Sequence, residues 1–287
     1  MNVAVLPNLS REKAQYYTVR LIERLSGLGA CIFMQSKFQA NFSGGVSRFF
    51  DDFDEMVSSC DLMVALGGDG TIIHCARHAA AFDKPILGVN VGRLGFLAEL
   101  ETDEFDELDK LARGNYRIEK RMMLGIRYTE NGIEKTETAL NDAVLMRGAL
   151  SPMPDFRVNF NGQTVCDYRG DGLIISTPTG STAYSLSAGG PIIDPQLSCI
   201  LLSPVCSHSL LTRPVVFGPS AKLSVRTHFR NDGEAFLTMD GEISLKVDQS
   251  QMIEFYRSEK TVDIVRLKDH NFYDIVNEKL GDGRNES

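Results

Sequence analysis

Apolar residues in the first half of the chain form short uninterrupted runs that alternate with segments of helical spacing. The runs lie at residues 2–6, 30–34, 62–66 and 85–90, and the helical segments at 11–25, 51–59, 71–82 and 101–113. A run without polar alternation is typical of a strand that is buried on both faces. Ser10 stands where it would cap the first helix. The strand–helix–strand order predicts a parallel sheet with right-handed crossovers.

The pattern changes at about residue 116, where apolar and polar residues begin to alternate. Alternating segments flank Asn131-Gly132 and Asn161-Gly162, which are dipeptides typical of hairpin turns. This half of the chain therefore predicts antiparallel strands in two packed sheets. Residues 272–280 return to helical spacing, and we expect that helix to pack back on the first domain.

Together these patterns predict an α/β fold with three parts. Residues 1–115 are expected to form a Rossmann-like parallel α/β domain, and residues 116–266 an all-β antiparallel sandwich. Residues 267–287 are expected to form a C-terminal helix and a polar, frayed tail.

Three glycines and one carboxylate separate the run at 62–66 from the helix that follows it. The order is Gly67-Gly68-Asp69-Gly70-Thr71. Glycines let a ligand approach the backbone closely, and the free N–H groups at a helix start favour anions such as phosphate. Because Asp69 would repel phosphate, it needs another role: it holds a metal, accepts a proton, or merely caps the helix.

A second glycine-containing loop follows the run at 85–90. Its sequence is Asn90-Val91-Gly92-Arg93-Leu94-Gly95-Phe96-Leu97. Ligands of open α/β sheets bind outside the carboxyl ends of the strands, so the two loops indicate one crevice. The chain has no Gly-x-x-x-x-Gly-Lys-Ser/Thr, and no Gly-x-Gly-x-x-Gly follows the first strand, which excludes a P-loop and the usual dinucleotide fingerprint.

Residues 169–191 interrupt the β pattern with hydroxyls, glycines and small side chains. Hydroxyls and exposed N–H groups suit the oxygens of sugars and phosphates, and Tyr184 could cover an adenine or nicotinamide ring. The alternative is a polar loop that leads into a helix capped by Thr179 or Ser181.

The composition and charge of the chain limit the classes of molecule with which it can interact. The net charge of −8 disfavours a general nucleic-acid binder, and no apolar run approaches the roughly 20 residues that span a bilayer. The N-terminus has no signal-peptide pattern, and the six cysteines form no Cys-x-x-Cys pair. We therefore expect a cytoplasmic protein with reduced thiols, and no nucleic-acid or membrane partner.

Taken together, four segments resemble the NAD kinases, the ATP-NAD kinase family. They are Gly67 to Thr71, Asn90 to Leu97, Asn141-Asp142, and the run from Gly170 to Pro191. The resemblance implies transfer of the γ-phosphoryl of ATP to the 2′-hydroxyl of the adenosine ribose of NAD, which forms NADP. It also implies Mg²⁺ or another divalent metal carried as the ATP complex. The family resemblance further implies a homo-oligomer, a dimer or tetramer, whose subunit interface completes the NAD site.

The same resemblance assigns site residues. Asp69 is the implied general base and contacts NAD with Gly70, and Asn141 and Asp142 contact the ribose and amide of NAD. Asp171 binds the nicotinamide side or an NAD edge across subunits, and Arg169 stands where a basic side chain is common. The remaining implied NAD contacts are Thr182, Ala183, Tyr184, Ser185, Leu186 and Ser187.

His74 stands where relatives carry a basic residue near the ligand, so it is either a donor to NAD or a helix residue packed on the sheet. His74 and His78 also have a zinc-like i, i+4 spacing, but no third ligand is evident and we expect no metal site. The sequence departs from the family pattern in two places. Residue 142 is Asp, where many relatives have Glu, and residues 205–210 differ from the usual Pro-His segment. Contacts around Cys206 are therefore left open.

Two other functions compete with this interpretation. A lipid kinase of the diacylglycerol or sphingosine type would explain the Gly-Gly-Asp-Gly-Thr turn, but not residues 177–191 or the lack of a basic amphipathic stretch. A module that senses NAD or NADPH without turnover would be favoured by loss of the base, but Asp69 is present.

Overall fold

The computed structural model describes residues 1–42, 44–92, 95–207, 212–249, 251–269 and 271–280. Their backbone divides into two compact units. Unit 1 comprises Met1–Lys120 and Val262–Ser287, and unit 2 comprises Arg121–Thr261. Within the described residues, none of the helices has the length and apolar character needed to span a bilayer.

Unit 1 begins with alternating strands and helices, as the apolar runs predict. The elements are β1 Asn2–Pro7, α1 Ala14–Gly27, β2 Cys31–Gln35, β3 Arg48–Phe50, α2 Phe53–Ser59, β4 Leu62–Gly67, α3 Asp69–Ala81, β5 Ile86–Asn90, β6 Leu100–Glu101 and α4 Leu108–Ala112. The parallel strands are ordered β5-β4-β1-β2-β3, which confirms the predicted parallel sheet. All six residues of β4 are buried, because helices cover both faces of such a sheet.

The strand order places the two glycine loops at one edge of the sheet. β1 pairs in parallel with β2 on one side and with β4 on the other, so strands that follow β1 are added first on one side of it and then on the other. The carboxyl ends of β4 and β5 are adjacent, with Gly67 paired with Asn90. Ligands of open α/β sheets bind at this kind of edge.

Two helix predictions in unit 1 are wrong. Helix α1 begins at Ala14 after Lys13, whose φ is 60°, and Ser10 does not cap it, because the Ser10 hydroxyl donates to Asn8 Oδ1 at 2.6 Å. The helix predicted at 101–113 is reduced to a 3₁₀ turn at Phe105–Glu107 followed by α4. Its start is lost because Leu100 and Glu101 pair with the end of β5 as β6.

Unit 2 is mainly antiparallel. The remaining elements of the chain are β7 Arg117–Glu130, β8 Ile133–Ala139, β9 Asp142–Arg147, β10 Asp155–Phe160, β11 Gln163–Arg169, β12 Gly172–Ser176, α5 Tyr184–Ser187, β13 Ile200–Val205, β14 Val215–Phe217, β15 Lys222–His228, β16 Ala235–Met239, β17 Ile243–Val247, β18 Met252–Arg266 and α6 Phe272–Leu280. One sheet has the order β14-β13-β12-β9-β16-β17, and in the other β10 pairs with β11 and β15. Side chains from both sheets, such as Leu145 and Phe156, share one buried core, which confirms the predicted sandwich.

The hairpin turns follow from Asn-Gly chemistry. Asn131 and Gly132 have φ values of 52° and 77°, and Asn161 and Gly162 have 49° and 85°. Two consecutive positive φ values match the twist of a two-residue hairpin, as predicted. The alternating segment after the first turn breaks after Ala139, and the chain continues from Asp142 in the other sheet.

The end of the chain returns to unit 1. Ile264 of β18 pairs in parallel with Ile86 of β5. In α6, the Phe272 ring lies 6.5 Å from the Phe96 ring, and Lys279 Nζ lies 4.1 Å from the centre of that same Phe96 ring. The prediction of a C-terminal helix on the first domain is therefore confirmed, while the predicted tail, 281–287, lies outside the described residues.

Candidate active site

Asp69 is the first residue of α3, and its carboxylate points to the loop after β5. The Phe96 N–H donates to Asp69 Oδ2 at 2.8 Å, and the Leu97 N–H donates to Oδ1 at 3.1 Å. The N-cap position is held by Gly68, and no side chain caps the helix. The half-buried carboxylate therefore does not act as the helix cap, and its two hydrogen bonds fix its orientation.

Gly95 makes this contact between the loop and the carboxylate possible. A Cβ on Gly95 would overlap Asp69 Oδ1. Only the absence of a side chain lets the loop backbone lie against the carboxylate. The preceding Arg93 and Leu94, which belong to the loop as predicted from sequence, lie outside the described residues.

Two residues after β1 were missed in the sequence. The Asn8 Nδ2 donates to Thr71 Oγ1 at 3.0 Å, and the Asn8 N–H donates to the Leu66 carbonyl at 2.9 Å. Arg11 Nη2 lies 3.2 Å from where a Cβ of Gly68 would be, so a guanidinium lies beside the glycine turn. Asn8 and Arg11 directly follow the first buried run, and this position could have indicated that they lie near the glycine turn, because neighbouring parallel strands end at the same edge of the sheet.

His74 lies one turn further along α3 and is exposed, so it is not packed on the sheet. Its ring is 5.2 Å from the ring of His78, which in turn lies 4.7 Å from Phe53. Across the described ranges, no group of three or more His, Cys, Asp and Glu side chains could hold a metal ion.

In unit 2, Asp240 shapes the backbone at Asn141 and Asp142. Its Oδ2 accepts the N–H of Leu140 at 2.7 Å, and its Oδ1 accepts the N–H of Asn141 at 2.8 Å and of Asp142 at 3.1 Å. These three bonds hold the break between β8 and β9. Asp240 thus positions the backbone of two predicted site residues, Asn141 and Asp142.

The Asp142 carboxyl is buried inside this arrangement, with 6% of the residue exposed. Burial raises the pKa of Asp142 to about 7, and the charge of Asp240 adds to the increase. Near neutral pH the side chain can therefore exist as a carboxylic acid, which donates a hydrogen bond that a carboxylate cannot.

The hydroxyl-rich segment packs against the same backbone. The Thr177 N–H donates to the Asn141 carbonyl at 2.9 Å, and the Thr177 hydroxyl donates to the Leu140 carbonyl at 2.6 Å. A Cβ on Gly180 would overlap the Asn141 carbonyl. Ser181 does not cap a helix, because its hydroxyl donates to the Pro178 carbonyl at 2.7 Å, and no side chain, that of Thr179 included, caps α5.

Asp171 has a cationic partner, Arg147, that was not predicted from the sequence. Arg147 Nε donates to Asp171 Oδ1 at 2.7 Å, and Arg147 Nη1 donates to the Ser151 carbonyl at 2.9 Å. Nearby in sequence, the half-buried Arg169 has a buried Nε for which the described residues offer no acceptor. The ion pair between Arg147 and Asp171 orients the Asp171 carboxylate.

The six residues from Thr182 to Ser187 differ in what they offer to a ligand. Tyr184 and Ser187 are exposed, and Thr182, Ala183 and Leu186 are half-buried. Ser185 is fully buried, and its hydroxyl lies 2.8 Å from the Ser203 hydroxyl, so its side chain faces the protein interior. Of the segment at 205–210, residues 208–210 lie outside the described part of the chain; Cys206, which is described, has a φ of 47°.

Sequence comparisons identify both halves of the chain. Residues 7–116 match the ATP-NAD kinase N-terminal domain, and residues 140–267 match the ATP-NAD kinase C-terminal domain. The chain is 38% identical over 280 residues to the NAD kinase of Caldanaerobacter subterraneus subsp. tengcongensis, which covers 97% of this chain and 98% of that protein. It is 46% identical over 233 residues to the NAD kinase of Moorella thermoacetica, covering 80% and 74%.

Solved structures give the same assignment. Yeast NADH kinase complexed with NADH superposes with a TM-score of 0.87 at 25% identity, covering 100% of this chain and 89% of that chain. The NAD kinase of Archaeoglobus fulgidus in complex with ATP gives a TM-score of 0.76 at 25% identity, covering 98% of each chain. Neither competing function, a lipid kinase or a non-catalytic sensor, accounts for these matches. The chain therefore belongs to the ATP-NAD kinase family and is a phosphotransferase that phosphorylates NAD with ATP.

Proposed function

We propose that Asp69 is the general base that activates the 2′-hydroxyl of the adenosine ribose of NAD. A ribose hydroxyl is a weak nucleophile, and a carboxylate within hydrogen-bond reach can take its proton during phosphoryl transfer. The proton moves to a carboxylate oxygen of Asp69 as the ribose oxygen bonds to the γ-phosphorus. The bond from that phosphorus to the bridging oxygen breaks, and ADP leaves. The observation that carries this proposal is the carboxylate held by the Phe96 and Leu97 N–H groups.

The glycine turn and Arg11 are proposed to bind the phosphates of ATP. The turn precedes the N-terminus of α3, where unpaired N–H groups and the helix dipole favour negative charge. The Arg11 guanidinium lies beside Gly68 and can neutralise phosphate charge. Mg²⁺ or another divalent metal arrives with ATP as part of the substrate complex and neutralises the remaining charge.

Residues of unit 2 are proposed to bind NAD. Asn141 offers an amide for the ribose, and Asp142 offers a buried carboxyl. Asp171, oriented by Arg147, offers a carboxylate to the nicotinamide side. Tyr184 is exposed and can stack on a ring of the dinucleotide. The other proposed contacts in unit 2 are Arg169, Thr182, Ala183, Ser185 through its backbone, Leu186 and Ser187. In unit 1, Gly70 and His74 are also proposed to contact NAD.

The surroundings of the enzyme are also part of the proposal. We place it in the cytoplasm, where reduced cysteines are the rule. The described cysteines are free thiols, in line with that compartment. We also propose a homodimer or homotetramer, with no nucleic-acid or membrane partner.

Asp69→Asn tests the general base. Purified enzyme with ATP, Mg²⁺ and NAD is assayed for NADP, and NAD binding is measured by calorimetry. We expect the variant to lose roughly 10²- to 10⁴-fold in kcat while NAD still binds, because the amide cannot accept the proton. Asp83→Asn is the matched control just beyond the other end of α3, where a φ of 53° suits Asn. A near wild-type rate in Asp69→Asn would refute the assignment.

A further inference from the structure

A buried ion pair lies behind the loop that holds Asp69. Arg266 Nη1 donates to Glu99 Oε2 at 3.1 Å, and both side chains are only 6% exposed. The two residues are 167 positions apart in the chain. Glu99 follows the loop after β5, and Arg266 is the last residue of β18.

Two further polar atoms of this pair, Glu99 Oε1 and Arg266 Nε, are also engaged. Glu99 Oε1 accepts the N–H of Leu267 and the N–H of Lys268, each at 2.7 Å. Arg266 Nε donates to Glu119 Oε2 at 3.0 Å, and the Glu119 side chain is 11% exposed. Since each group has several partners, neither side chain can rotate without losing buried hydrogen bonds.

This pair is connected to the Asp69 carboxylate through the backbone of Leu97. Arg266 Nη1 also donates to the Leu97 carbonyl, in a longer contact of 3.5 Å. The N–H of the same Leu97 donates to Asp69 Oδ1 at 3.1 Å. The Glu99 N–H donates to the Gly88 carbonyl at 2.9 Å, which ties the far end of the loop to β5.

A buried ion pair is a poor way to gain stability alone, because desolvation of the charges offsets much of their attraction. Apolar side chains of the same size would fill the space without that cost. What the pair adds is a fixed geometry, because a guanidinium donates in defined directions. That geometry fixes the Leu97 carbonyl and, through the Leu97 backbone, restrains the N–H group that faces Asp69.

We propose that Glu99 and Arg266 are positioning residues for phosphoryl transfer, which hold the loop at 95–97 so that its N–H groups orient the Asp69 carboxylate. The inference rests on the proposed role of Asp69 as the base. Neither residue touches a substrate in this proposal. Their effect is on the placement of the carboxylate, and a displacement of about 1 Å at such a site can cost about 10²-fold in rate.

The test combines hydrogen–deuterium exchange with steady-state kinetics on the full-length enzyme. The variants are Glu99→Gln, which turns an amide N–H toward Arg266, and Arg266→Lys, which keeps the positive charge but lacks the separate Nε and Nη1 donors of the guanidinium. Glu99→Asp, one methylene shorter, provides a milder change should the others fail to fold. Asp263→Asn is the matched control, because it removes a carboxylate from β18 that pairs with the exposed Lys120 and not with the loop.

We expect faster exchange of the Phe96 and Leu97 amides in the Glu99 and Arg266 variants. The Leu267 and Lys268 amides, which donate to Glu99, should also exchange faster, with the rest of unit 1 unchanged. We expect kcat to fall roughly 10- to 100-fold, with the KM for NAD and ATP within about twofold of wild type. Asp263→Asn should show neither change. Partial recovery of kcat in Glu99→Asp relative to Glu99→Gln would support positioning by the carboxylate.

Unchanged exchange at Phe96 and Leu97 together with a normal kcat would overturn the proposal, as would a kcat loss that the control shares. The proposed base is tested separately by Asp69→Asn. If exchange at the loop increases and kcat stays normal, the pair holds the loop but the orientation of Asp69 does not limit the reaction, and the positioning role fails. If Asp69→Asn is active, the base fails whatever the exchange data show.

Discussion

A backbone hydrogen bond joins Asp240 to Asp142, but the carboxyl groups of the two residues lie in different environments. The Asp240 N–H donates to the Asp142 carbonyl at 3.0 Å. The Asp240 carboxylate accepts three backbone N–H groups, whereas the Asp142 carboxyl is buried and carries a raised pKa. One carboxylate therefore shapes the site, and the other can change its charge near neutral pH.

Asp142→Asn should stabilise the protein at alkaline pH. The folded-state pKa of Asp142, about 7, lies above the ordinary value of 3.8, so the folded state binds more protons between these values. Stability of the wild type is thus expected to fall as pH rises from about 4 to 7, by up to about 4 kcal/mol. Asn removes this loss because it is neutral. Urea unfolding of the wild type and of Asp142→Asn at pH 5 and pH 8 measures this difference in stability.

The exposed Asp232, replaced by Asn, serves as the control for that measurement and should leave the pH dependence intact. An Asp142→Asn variant that loses stability with rising pH as steeply as wild type would contradict the prediction.

Gly95→Ala should inactivate the enzyme while leaving the fold in place. The added Cβ would overlap Asp69 Oδ1, so either the loop or the carboxylate must move. We expect a kcat loss of about 10²-fold, because the proposed base is misplaced. Gly44→Ala is the control, since a Cβ there meets nothing within 4 Å. Wild-type turnover in Gly95→Ala would show that the close approach has no catalytic importance.

Arg147→Lys should weaken NAD binding. Lysine lacks the Nε that donates to Asp171 and cannot also reach the Ser151 carbonyl, so the Asp171 carboxylate loses its fixed orientation. Loss of a charge-assisted hydrogen bond predicts a rise of roughly tenfold in the KM for NAD, with a smaller change for ATP. The comparison is Arg157→Lys, whose pair with Asp167 is exposed. Equal effects of the two substitutions would argue against a role for Arg147.

Gly180→Ala should destabilise the protein and weaken NAD binding. Its Cβ would overlap the Asn141 carbonyl, and backbone atoms cannot move aside as side chains can. We expect a loss of about 1–3 kcal/mol in the free energy of unfolding and a raised KM for NAD. Thermal unfolding and kinetics measure both, with Gly218→Ala as the control because a Cβ there has open space around it. Unchanged binding would mean that Asn141 tolerates displacement.

Features that depend on neighbouring residues were predictable from the sequence. The buried strand β4 and the turn after it follow from an uninterrupted apolar run that ends in glycines. The Asn131-Gly132 and Asn161-Gly162 turns follow from residues that accept positive φ. The family motifs added Asp69, which no periodicity could distinguish from a helix cap.

Features that depend on distant residues were not predictable. Asp240 binds backbone N–H groups about 100 positions away, and Arg266 reaches Glu99 across 167 positions. Sequence spacing carries no signal for such contacts, because they arise only once strands are paired. Even the local Ser10 cap was wrong, since Asn8 competed for the same hydroxyl.

Unit 1 is assembled from two stretches of the chain, residues 1–120 and 262–287, which are synthesised at different times. During translation, Glu99 emerges long before Arg266, so the nascent chain carries an acidic group whose buried cationic partner has not yet been made. Domains fold as units as they leave the ribosome, at about 5–20 residues per second. Unit 1 can therefore close only after its last segment is synthesised. A premature stop codon before Arg266 would leave a product that has the glycine turn after β4 but lacks the buried ion pair behind Asp69.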